Sequence, residues 1–250
     1  MFGPEYWEIM LPAAAGGLVI AIIHGPLGVE VLRRGIIFID LAIAQIAGLC
    51  VILVDLWFHT PNWFVHQGAV VSAALVAAVF FRQVEKKLPR EQEAIIGACF
   101  VLAASGVLLV LADHPHGGEE IQHILSGQIL FITWPDVLRY LPVYGAATAL
   151  WFLWPGVRGG FWFFAVFALV ITASVQLVGV YVVFASLILP ALAVNTLQSR
   201  HARLSIVCGS IAVLGGIMVS TLLDLPAGPV LVFAYGAVML LARTTVAYRR

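Results

Sequence analysis

The stretch DHPHGGEEIQH, residues 113–123, concentrates more chemistry than any other part of the chain. His114 and His116 flank a proline, and Glu119 and His123 lie four apart, so these two share a face of any helix formed there. Imidazole and carboxylate at that spacing suit a borderline divalent cation such as zinc. Two readings stand open: a site that captures metal arriving from outside, or a solvated loop whose histidines are incidental. Two further candidates sit in apolar surroundings. His24 lies deep in the first apolar run, just before Gly25-Pro26. An ionisable group in a membrane span is costly and usually faces the interior, so His24 is either a pathway ligand or a hydrogen-bonded spacer beside Pro26. Asp40 opens the second run. It is either a favourable charge at a helix N-terminus or a gate or ligand residue of an inner pathway. No glycine-rich phosphate loop, Ser-His-Asp set or catalytic carboxylate pair is present. The chain therefore reads as a non-enzyme without a permanently bound cofactor.

The elements that must position these groups are apolar helices. Of 250 residues, 62% are hydrophobic and only 10% charged, against roughly 25% charged in soluble domains. Such a chain cannot cover itself with a solvated face and must use lipid as its solvent. Lys plus Arg and Asp plus Glu number 13 each, so no net field favours nucleic acid. Cys50, Cys99 and Cys208 all lie in apolar runs and read as small buried hydrophobes. The first run lacks a cationic start and a cleavage site, so it reads as a retained span.

Apolar runs at 9–32, 36–58, 63–81, 94–112, 136–154, 161–177, 178–197, 204–222 and 229–247 predict an all-α, polytopic transmembrane bundle of eight or nine spans in one domain, 1–250. The count depends on whether 161–177 and 178–197 are separate. Pro190 predicts a kink or break in the uncharged stretch Leu177–Asn195, which then reads as an internal wall. Segment 121–135 is too short to span and reads as re-entrant or interfacial. Basic residues at 33–34, 82–90, 158, 200–203 and 249–250 fall on one side if the N-terminus is outside and the C-terminus cytoplasmic, with Arg139 the exception. Glu30 is spaced to pair with Arg33 and Arg34. Gln176 and Asn195 read as hydrogen-bonding groups between helices, and Asp224 as part of a turn.

Five stretches, in order, resemble the membrane subunit of zinc/manganese-type ABC importers. They are GPLGVEVLRRGIIFID at 25–40, EQEAIIG at 91–97, ILSGQILFITWPDV at 124–137, VGVYVVFASLILPALAV at 178–194 and LLDLPAGPVLVF at 222–233. The resemblance implies a multi-pass permease of the cell (inner) membrane, working as a homodimer in contact with lipid. A separate cytoplasmic ATPase subunit would drive alternating access, and a periplasmic or extracellular metal-binding protein would deliver zinc or manganese as the substrate. Zinc is favoured because the candidate ligands are largely imidazoles. Two departures stand out. The family's second span usually reads Asp-x-x-x-His, but Ala44 follows Asp40 at that spacing, with Gln45 beside it. The family also carries a longer helix after its fifth span, where the ATPase docks. Residues 154–160, WPGVRGG, are too short for one. The ATPase would then grip loops such as 82–93 or 197–204. Alternatively, the chain is a permease relative serving as a structural or regulatory membrane partner, or an ATP-independent metal channel.

Overall fold

A computed structural model describes residues 4–58, 62–112, 125, 127, 129–195 and 201–248. Among them are nine α-helices and no strand. They are α1 (Pro4–Arg34), α2 (Ile39–Phe58), α3 (Trp63–Lys87), α4 (Gln92–Leu111), α5 (Trp134–Leu153), α6 (Gly160–Val178), α7 (Val180–Val194), α8 (His201–Leu223) and α9 (Ala227–Tyr248). Lipid offers backbone groups no hydrogen bonds, so uncharged runs of this length must satisfy themselves as helices. Seven of the nine are long and apolar enough to cross a membrane. The others are α5, which carries Asp136, Arg139 and Pro142, and α7, which has only 15 residues. At the start of α5 the Asp136 carboxylate accepts the Thr133 backbone N–H (3.1 Å) and hydroxyl (2.6 Å), closing the helix end from both sides.

The helices form two groups. One contains α1, α7, α8 and α9; the other contains α2, α3, α4 and α6, with α5 against α1 and α6. The groups meet along α1, α6 and α7, where the largest share of buried side chains lies, including Phe163, Phe164, Phe167, Leu27 and Leu187.

Arg34 fixes the basic end of this seam. Its guanidinium donates to Glu30 (2.8 Å), Glu85 (2.7 Å) and the carbonyl of Arg158 (2.7 Å), and it lies 4.1 Å from the centroid of the Phe163 ring. One side chain thus joins α1, α3, the 3-10 turn Pro155–Arg158 and α6. Arg33 also reaches Glu30 (2.6 Å), so the expected pairing of Glu30 with both arginines is present. Arg82 pairs with Glu85 in the same cluster. Of the basic residues expected on one side, Arg33, Arg34, Arg82 and Arg158 gather at this end, and Arg200, Arg249 and Arg250 lie outside the described residues.

Helices α6 and α7 are separate, which makes nine α-helices among the described residues. The start of α6 lies under Arg34, and Leu187 in the second half of α7 lies against Gly28 near the same end of α1. The two helices therefore double back on each other at Gly179 (φ 76°, ψ 165°), the one residue between them. That φ favours a residue without a Cβ. Helix α7 continues through Pro190 without the break that was one of the two expected outcomes there. The chain's interruption falls at Gly179 instead, and Pro190 packs beside Gly209 of α8. At the opposite end, the one expected from the basic residues to be outer, Asp224 takes a positive φ of 51° in the turn between α8 and α9. Ser220 brackets that turn, its hydroxyl donating to the Leu225 carbonyl (2.6 Å).

Candidate functional site

Helix α1 ends on Gly35, whose φ of 69° turns the chain into the short link to α2. The Phe38 N–H in that link donates to Glu93 Oε1 of α4 (3.1 Å), tying the start of α2 to the start of α4. Two residues on, Asp40 is 0% exposed. The first-turn amides of Asp40 and Leu41 present the positive end of the helix to its carboxylate, and Glu93 is the charged neighbour that bears on it. Neither Asp40 oxygen makes a hydrogen bond among the described residues, nor do Glu93 Oε2 and the buried Gln92 Nε2. Well over nine-tenths of buried polar groups in proteins are hydrogen-bonded. Four unsatisfied atoms thus lie at one junction, three carboxylate oxygens and one amide donor.

From Leu41 a groove of about 740 Å³ runs towards the outer end between α2, α4, α7 and α9. Phe100, Phe184, Leu189 and Val232 form its walls, and Gln45 lies along it. Ala44, four residues after Asp40, is packed in the core, whereas Gln45 lines the groove, which begins at Leu41 beside the buried Asp40.

His24 lies elsewhere, on the seam. Its Nδ1 is 2.8 Å from the Ser186 hydroxyl on α7 and its Nε2 is 3.1 Å from that of Ser174 on α6. Ser174 also meets the Tyr144 hydroxyl of α5 (2.9 Å), and Ser186 donates to the Val183 carbonyl (2.9 Å). The chain Tyr144–Ser174–His24–Ser186 links α5, α6, α1 and α7, with the ring set in the angle between α6 and α7. Both ring nitrogens are engaged. His24→Ala is expected to destabilise the protein by about 2 kcal/mol, combining lost hydrogen bonds with a cavity. Ser186→Ala should cost less, because Ser174 still holds the ring. Thermal unfolding of the two variants in detergent checks the order.

Gln176 bridges helices as expected: its Oε1 accepts from Gln67 Nε2 (2.8 Å) and the Tyr140 hydroxyl (2.9 Å). Asn195, just past α7, is exposed. His66 of α3 lies 3.8 Å from Asp55 of α2 at the outer end. His114, His116, Glu119 and His123 lie outside the described residues, as do His59 and six of the fifteen residues of 121–135; the described part of that segment holds the 3-10 turn Ile129–Phe131 and the start of α5. Among the described residues, no three His, Cys, Asp or Glu side chains are grouped so as to hold a metal ion.

The sequence profile of the ABC 3 transport family matches residues 6–154 and 158–246. The chain belongs to the ABC 3 transport family. It is a permease subunit and a multi-pass protein of the cell membrane, in line with the resemblance read from its five stretches. No curated protein matches the sequence significantly. Among solved structures, the chain is similar to one in PsaBC from Streptococcus pneumoniae in complex with Fab, at 18% identity and a TM-score of 0.74, covering 97% of this chain and 95% of that one. A transporter described as metal-chelate type, in an inward-facing conformation, is similar at 14% identity and a TM-score of 0.71, covering 94% and 85%. Likeness at these identities establishes an ABC 3 permease fold. Within that fold, the orphaned acid junction at Asp40 and Glu93 is a polar site that single-residue reading assigned only in part: Asp40 was a candidate, and Glu93 and Gln92 were not.

Proposed function

We propose that this ABC 3 permease carries divalent metal ions across the membrane, with Asp40 and Glu93 as charge-compensating groups on the path. The observation behind this reading is the fully buried Asp40 carboxylate without a hydrogen bond beside a second carboxylate with a free oxygen. Two carboxylates balance a doubly charged ion, and an ion shedding water in a low-dielectric interior needs that compensation. Gln45 supplies a neutral carbonyl further along the groove.

In one copy the groove is open, with Tyr181 and Phe233 exposed on its rim. A second copy facing it closes the groove and brings a second Asp40 and Gln45 to the same path, so a homodimer is the working form. A separate ATPase supplies energy. Only one 3-10 turn lies between α5 and α6, which leaves the 88–91 turn and the 197–204 region as its grip. A soluble metal-binding protein delivers the ion at the outer face, where His114, His116, Glu119 and His123 are its first ligands. His24 serves to hold helices, since its ring nitrogens are already occupied.

The outer imidazoles suit zinc, whereas the oxygen donors of Asp40, Glu93 and Gln45 suit manganese. The second metal is therefore a specific alternative. The chain is to be reconstituted in liposomes with its ATPase and binding protein, and uptake of both ions followed. ATP-dependent accumulation of zinc or manganese, reduced about tenfold by Glu93→Gln, is the expected result. Failure to accumulate either ion overturns the reading. ATP-independent equilibration at the same rate would instead identify a channel.

A further inference from the structure

A second polar chamber lies at the outer end, bounded by α3, α5 and α6 as well as α2, and the transport reading makes no use of it. Its volume is about 420 Å³, within the range of small-molecule sites. Asp136 and Arg139 stand at its rim, with side chains 37% and 47% exposed. They are one helical turn apart on α5, yet their closest approach is only 4.0 Å. The Thr133 hydrogen bonds to Asp136 run to Oδ2 and leave Oδ1 facing Arg139. The rim therefore offers one negative and one positive group, loosely engaged with each other.

Deeper in, the groups are neutral. Tyr140 and Gln176 line the chamber and are braced by Gln67. The Gln176 amide also donates to the Thr172 carbonyl (3.2 Å). Thr172 itself lines the floor, is 2% exposed, and its hydroxyl has no hydrogen bond among the described residues. A threonine in a helix can bond back to its own backbone, so a buried hydroxyl left unsatisfied in the wall of a chamber points to a missing partner. His66, the other titratable group on the wall, is turned towards Asp55 at 3.8 Å.

We infer that this chamber binds a small zwitterion of the amino-acid type. Its carboxylate meets Arg139, its ammonium meets Asp136, and a polar side chain reaches the hydroxyl of Thr172. The opposite charges at the rim argue against a bare metal ion, which Arg139 repels, and against a simple anion, which Asp136 repels. The apolar walls, including Val175 and Ile132, suit the carbon skeleton between.

The test is calorimetric titration of the full chain in nanodiscs with glutamine, acetate, methylamine and manganese ion, each alone. Glutamine is expected to bind at one site per chain, with acetate, methylamine and manganese at least tenfold weaker. Arg139→Gln and Thr172→Val should each weaken glutamine at least tenfold. Thr172→Ser, which restores the hydroxyl, should recover most of the affinity, and all three variants should melt near the native temperature. Absence of glutamine binding overturns the inference. So does acetate or manganese binding as tightly as glutamine, or glutamine affinity that is unchanged in Arg139→Gln. Because no transport is measured, the result is independent of the uptake experiment.

Discussion

Asp40→Asn is expected to make the purified chain more resistant to heat while cutting metal uptake at least about tenfold. The two effects share one cause. A carboxylate buried with only the first-turn amides of α2 before it loses its water and gains little in exchange, which destabilises the resting protein by several kcal/mol in order of magnitude. The favourable helix N-terminus returns only about 1 kcal/mol. Replacing the charge with a neutral amide removes most of the penalty, including the repulsion from the neighbouring Glu93. The same change removes half the negative charge available to a passing dication. Melting curves in detergent, set beside ATP-driven uptake in liposomes, separate the outcomes. Unchanged uptake would place Asp40 off the path. A lower melting temperature would mean that the carboxylate has a structural partner in the native membrane.

The second large effect is expected at Gly28. A Cβ built there would come within 2.0 Å of the Leu187 carbonyl oxygen and 3.2 Å of the Ala191 methyl. A backbone oxygen cannot rotate away, so α1 and α7 must separate. Overpacking in a tight core costs about 1–3 kcal/mol, and a clash with backbone belongs at or above the top of that range. Alanine's advantage over glycine within a helix is about 1 kcal/mol and does not compensate. Gly28→Ala should therefore give little monodisperse protein after solubilisation. Gly145→Ala is the matched control: nothing lies within 4 Å of the added methyl, and the variant should melt at or slightly above the native temperature. Equal recovery of the two variants would show that the α1–α7 contact is looser than described.

The fold was readable because lipid enforces one solution for long uncharged runs, and each of the nine runs became a helix with ends displaced by a few residues. The Glu30–Arg33–Arg34 cluster and the bridging role of Gln176 were also readable, since both rest on local spacing or on a lone polar group that needs a partner. The position of the chain break was not. Pro190 is a strong local signal, but the ring could be housed beside Gly209, and whether such space exists is a property of the assembled bundle. His24 shows the same limit. Its choice between ligand and spacer depended on Ser174 and Ser186, which are 150 and 162 residues away and inconspicuous within apolar runs. Glu93 was visible only as the start of a span. Its meaning came from the Phe38 amide and the empty oxygens of Asp40, neither of which leaves a trace in spacing.

The single-residue joint at Gly179 has a mechanical consequence. Two virtual bonds span at most about 7 Å, so the outer tips of α6 and α7 have no slack between them. A tilt of α6, which carries Gln176 and Thr172, must drag the tip of α7 with it. With His24 wedged below the apex, the pair behaves as a stiff lever rather than two independent rods. Displacement at the outer rim is thereby delivered, with little loss, to the opposite end of α7, where Arg243 holds the Leu192 carbonyl at 3.1 Å.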